Sequence, residues 1–176
     1  VLIAPMIGIT SLARFAGVMG WPAVFPAFAK AAWLGVVPEF NPFKFNSFPV
    51  NGARQSSLVA RALQQDIAQA ASQGRLAELA PVLTFQSVVD FTVSTRAIVN
   101  ALYLNLPANG SELVLFDINR NTKFGPLLPS NTETVLARLL PDAPRTFRTT
   151  VITNVNADSA EVVERVTEAG STTEQS

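Results

Sequence analysis

One carboxylate occupies a position where chemistry often collects. The run Ser87-Val88-Val89-Asp90-Phe91-Thr92-Val93 follows Pro81-Val82-Leu83-Thr84-Phe85-Gln86-Ser87, whose β-branched and aromatic residues read as a strand. In a parallel α/β sheet, functional groups gather beyond the carboxyl ends of the strands, so the loop holding Asp90 is the segment to inspect. A carboxylate there can accept a hydrogen bond from a catalytic histidine and stabilise its imidazolium form. It can equally satisfy backbone N–H groups of its own loop, as loop aspartates commonly do. Asp117, at the end of a second strand, would with Asp90 make a two-carboxylate acid/base pair, although most strand-end acids do no such work. Arg120 fits a local ion pair better than a substrate-carboxylate site.

Two missing residue types restrict that chemistry further. The chain has no histidine, so it cannot build a Ser-His-Asp triad or a His-ligated zinc site by itself. It has no cysteine, and therefore no disulfide, thiolate nucleophile or iron–sulfur ligand. No acidic metal cluster, Gly-rich phosphate loop or dinucleotide fingerprint appears, and neither a metal nor a cofactor is expected. The 13 basic and 13 acidic residues balance, with no basic stripe, which argues against a nucleic-acid partner.

The elements that must hold Asp90 follow from periodicity. An apolar content of 48% is enough for a core and too high for general disorder. Val1-Leu2-Ile3-Ala4, closed by Pro5, reads as a buried parallel strand entered in the middle of a domain, not as a signal peptide. Residues 52–73 form the best helix, with Leu58, Val59, Ala62, Leu63, Ile67 and Ala70 at helical spacing, Asn51 as its cap and Gly74 as its stop. A second helix is predicted over 94–106 with Ser94 as cap, and a strand over Glu112–Phe116. Residues 132–140 suggest a short helix and Arg148–Thr153 one more strand. From Ala169 onward no apolar residue remains to anchor the tail, which is expected to be mobile. Strands alternating with helices predict an α/β fold with a parallel sheet and crossover helices.

Three segments together resemble a family. Pro81-Val82-Leu83, followed by Asp90 and then Val93, is similar to the strand-loop of α/β-hydrolases that carries the triad acid. The nearest group is the monoglyceride-lipase and lysophospholipase-like serine hydrolases. Val1-Leu2-Ile3-Ala4-Pro5-Met6 resembles that group's strand after the nucleophile-elbow helix, and the aromatic segment between sits where the family inserts its cap. The resemblance covers roughly residues 1–120. It implies the C-terminal part of an α/β-hydrolase domain, with residues 11–80 as the cap insertion, 121–168 as an insertion or extension and 169–176 as the tail. It further implies a serine hydrolase acting on lipid-like carboxylic esters, with Asp90 as the triad acid. The G-x-S-x-G elbow would precede Val1. The stretch Asp117-Ile118-Asn119-Arg120-Asn121 holds no imidazole where the simplest members have one, so the histidine would follow Ser176.

The aromatics of the inserted segment, Phe40, Phe43, Phe45 and Phe48 with Trp21 and Trp33 upstream, can pack on one another for their buried area. They can also wall an apolar pocket, and Phe40, Phe43 and Phe45 are the candidates for binding an acyl or other small apolar ester substrate. The uncharged run between Arg14 and Lys30, broken by Pro22 and Pro26, is too short to span a membrane; contact with a membrane surface is compatible with it. Asn109-Gly110-Ser111 matches a glycosylation sequon but also makes the turn between a helix and a strand, which is the reading preferred. Lack of cysteine fits the cytoplasm, and bacterial proteins of other compartments nearly as well. A non-catalytic binding module on a hydrolase-like sheet is the alternative; a flavodoxin-like domain is disfavoured for want of a phosphate loop.

Overall fold

The computed structural model describes residues 1–9, 21–35, 47–90, 92–118, 132–156 and 159–176. Its centre is a six-stranded sheet of β1 (Leu2–Ile3), β4 (Leu83–Ser87), β5 (Glu112–Asp117), β6 (Arg148–Asn154), β7 (Val162–Thr167) and β8 (Glu174–Gln175), in that spatial order. A two-stranded antiparallel ribbon joins β2 (Trp33–Gly35) to β3 (Phe48–Pro49). The helices are α1 (Val50–Ser72), α2 (Thr95–Ala101) and α3 (Thr132–Leu139).

The first four strands of the sheet run parallel, with Leu2 opposite Thr84, Thr84 opposite Leu113 and Leu113 opposite Thr149. The last two are antiparallel, so the expected parallel sheet is corrected to a mixed one. The turn after β6 is too short for a crossover: Asn154 pairs with Val162 at the start of β7, and two adjacent strands so closely joined must reverse direction. The tail is also tied down. Backbone pairing of β8 with β7 and the Arg165–Glu174 ion pair (3.6 Å) anchor it without any apolar side chain, a polar route that apolar content alone does not reveal.

One face of the sheet carries the core. Leu113, Leu115 and Val151 pack beneath Ile98, Val99, Leu102 and Tyr103, with Phe147 between the layers. The Tyr103 and Phe147 rings lie 4.7 Å apart and tilted, and the Tyr103 hydroxyl donates to the Glu112 carbonyl (2.5 Å). Burial pushes the Tyr103 phenol up to about 12. The strand at Pro81 starts later than predicted because the Val82 N–H goes to the Ser111 hydroxyl (3.0 Å) and not to a ladder. Helix α2 is shorter than the predicted 94–106. Leu102 is its C-cap (φ −108°), a 3-10 turn over Tyr103–Asn105 follows, and the Asn105 amide donates to the Ala101 carbonyl (3.0 Å).

Helix α1 buries a stripe other than its largest apolar residues. Its inward stripe is Val50, Ala53, Ser57 and Ala60, small residues that allow close approach, while Leu58, Val59 and Leu63 face outward. Pro49 and not Asn51 precedes it, suiting a position that needs no donor. Gly74 does end it, in the left-handed region at φ +70°.

Candidate functional site

The loop after β4 is built to hold one carboxylate still. Asp90 Oδ1 accepts hydrogen bonds from the backbone N–H groups of Thr92 (2.7 Å) and Val93 (2.9 Å). The Asp90 N–H itself donates to the Ser87 carbonyl at the end of the strand (3.2 Å). Among the described residues both bonds to the carboxylate fall on Oδ1. These two bonds fulfil the loop-satisfying reading of Asp90.

The loop after β1 comes alongside. The Ser94 N–H donates to the Gly8 carbonyl (2.8 Å), Ile9 bridges Val93, and the Gln64 amide of α1 donates to the Ile7 carbonyl (2.7 Å). Gly8 is required by contact, since a Cβ there would lie 2.2 Å from the Cβ of Ala97. Ser94 then caps α2, its hydroxyl accepting from the Ala97 N–H (3.2 Å), as the sequence predicts. The Thr95 hydroxyl donates to the Ser87 carbonyl (3.3 Å), locking the first turn of α2 to the end of β4.

Between these loops and α2 lies an open cleft of about 790 Å³, lined by Gly8, Gln64, Asp90, Arg96 and Asn100 among others. It lies at the carboxyl end of the parallel strands, where α/β sheets place ligands. The Arg96 guanidinium donates to the Arg138 carbonyl (2.9 Å) and so bridges α2 to α3 at the cleft's edge. Asp117 is buried at the end of β5, where its carbonyl accepts from the Thr153 hydroxyl (3.2 Å), and it does not line the cleft. The structure does not bring Asp90 and Asp117 into one site.

Other sequence candidates fall elsewhere. Phe40, Phe43, Phe45 and Arg120 lie outside the described residues. Asn109 serves the turn: its Oδ1 accepts from the Ser111 N–H and hydroxyl, its amide donates to the Leu79 carbonyl, and Gly110 takes φ +83°. Sequence reasoning missed Gln64 and Gly8. Gln64 continues the inward stripe of α1 one turn past Ala60, so a polar residue at an inward position was the available signal. Among the described residues no group of three His, Cys, Asp or Glu could hold a metal ion. Comparison with family models, with curated proteins and with solved structures finds no match to this chain.

Proposed function

We propose that this chain supplies the acid of a Ser-His-Asp triad in a serine hydrolase acting on lipid-like carboxylic esters, with Asp90 as that acid. The observation that carries the reading is the placement of Asp90: beyond the carboxyl end of a parallel strand, fixed through Oδ1 by two backbone amides, on the wall of an open cleft. Two of the three segments behind the hydrolase resemblance support it in topology, since β1 and β4 lie side by side and parallel.

In this mechanism the Asp90 carboxylate accepts an N–H from the catalytic imidazole and stabilises the positive charge formed when that ring takes the serine proton. The restraint on Oδ1 fixes the direction of Oδ2, which is the orienting part of the task. With no histidine in its sequence, the chain depends on residues outside these 176 for both the imidazole and the nucleophile. The 176-residue chain alone is therefore expected to leave p-nitrophenyl esters unhydrolysed above background. Turnover by this chain that Asp90→Ala abolishes would sink the proposal. The second reading, a non-catalytic binding module, is favoured by the same lack of histidine, and it predicts that no longer polypeptide containing this chain hydrolyses esters.

A further inference from the structure

Asn109-Gly110-Ser111, the turn leading into β5, joins an amide, an unhindered backbone nitrogen and a buried hydroxyl. Asparagine before glycine holds an electrophile next to a nucleophile. The backbone nitrogen of Gly110 can close a ring on the Asn109 side-chain carbon Cγ, and glycine obstructs that approach least because it has no Cβ. Gly110 is exposed at φ +83°, and among the described residues its N–H donates to no partner. The nucleophile is therefore open to solvent and uncommitted.

Ser111 prepares the electrophile. Its N–H (3.2 Å) and its hydroxyl (2.6 Å) both donate to Asn109 Oδ1. Ser111 is fully buried, and its Oγ accepts from the Val82 N–H (3.0 Å), which polarises the hydroxyl toward Oδ1. Two donors on a carbonyl oxygen are the arrangement that stabilises an oxyanion when a nucleophile adds to the carbon. The leaving nitrogen is held as well, since Asn109 Nδ2 donates to the Leu79 carbonyl (3.0 Å) on the approach to β4. The chain carries a second Asn-Gly pair, Asn51-Gly52, in the first turn of α1. Among the described residues no donor reaches the Asn51 side-chain oxygen, so that pair is an internal reference.

We propose that Asn109 is a self-modifying residue, whose amide the folded turn converts to a carboxylate through a cyclic imide. Hydroxide removes the Gly110 N–H proton, the nitrogen adds to Cγ, and Oδ1 takes the negative charge opposite the two Ser111 donors. Collapse breaks the Cγ–Nδ2 bond, and Nδ2 leaves as ammonia with a proton from water. Water then opens the imide at either carbonyl to give aspartate or isoaspartate, so the net reaction consumes water and releases ammonia. The product has no Nδ2 donor for the Leu79 carbonyl, and isoaspartate lengthens the backbone of the turn by a methylene. The reaction thus releases the strap between the approach to β4 and the turn before β5. It uses no residue of the cleft and is independent of Asp90.

The test incubates the full 176-residue chain at neutral pH, folded and in urea, and follows Asn109 and Asn51 by peptide mass spectrometry. Conversion of amide to acid is read from the mass, and isoaspartate from methylation by an isoaspartyl methyltransferase. In urea the two Asn-Gly pairs should react at similar rates. In the folded chain Asn109 should react about tenfold faster than Asn51, and faster than it does itself in urea, because only the fold supplies the two donors. Ser111→Ala, which removes the hydroxyl donor, should slow Asn109 about tenfold and leave Asn51 at its own rate. Ser111 is buried, so the far-UV spectrum of that variant is recorded alongside; the comparison of parent folded with parent in urea needs no variant. An Asn109 that reacts more slowly in the fold than in urea would overturn the proposal. So would faster reaction in a Ser111→Ala protein with the parent's spectrum, since the same hydrogen bonds would then be shielding the amide from attack.

Discussion

Asp90 holds its loop through one carboxylate oxygen, which accepts from two backbone amides, and it lines the cleft. Asp90→Asn keeps an oxygen for the Thr92 and Val93 amides but removes the charge, so it isolates the electrostatic role from the structural one. Tyr103 offers a separate check on the core. Its phenol, neutral in the fold, is raised by burial from 10.0 to about 12, so above pH 10 the unfolded chain releases the proton first. Stability is therefore expected to be complete below pH 10 and to fall as the pH rises toward about 12. Thermal melts of Tyr103→Phe should lack that alkaline component, although their baseline will be lower for want of the bond to the Glu112 carbonyl. Gly8 gives a third prediction at this scale. Gly8→Ala drives a Cβ into Ala97 on a packed helix and should cost about 1–3 kcal/mol in denaturant unfolding. Unchanged stability would mean that the loop after β1 yields easily.

At the scale of elements, legibility followed the physics of each signal. Strands β4, β5 and β6 were readable because parallel strands with a buried face are rich in β-branched and apolar residues. Their cores are expected to respond accordingly: Leu115→Ala, which empties a fully buried position between β5 and α2, should destabilise by about 2–5 kcal/mol in urea. Helix α1 was readable in extent but not in rotation. Large apolar side chains at helical spacing mark the helix, whereas the residues it buries are Val50, Ala53, Ser57 and Ala60. The shortening of α2 depended on Tyr103 reaching a carbonyl of β5, a contact between strand and helix that local periodicity does not encode. Strand β7, with the pattern Val162-Val163-Glu164-Arg165-Val166-Thr167, was hidden within a stretch assigned only as an insertion. Its pairing with β6 makes the sheet mixed.

At the scale of the whole molecule, the sheet divides the work. Its parallel part places Asp90 and the cleft at the carboxyl ends of β1 and β4, and its antiparallel part closes the opposite edge with β8. The position of Asp90 was legible because a strand followed by an acidic loop and a helix cap is a local pattern. The cleft beside it was not, because it depends on Gly8, Gln64 and Arg96 arriving from three different elements. On the proposed function, substrate would meet that cleft. The central claim is tested most directly by expressing the complete reading frame that contains residues 1–176 and comparing Asp90→Asn with the parent on p-nitrophenyl and monoacyl esters. The account predicts that kcat falls roughly 10³- to 10⁴-fold with little change in KM and an unchanged melting profile; an Asp90→Asn protein that retains the parent's kcat would contradict it.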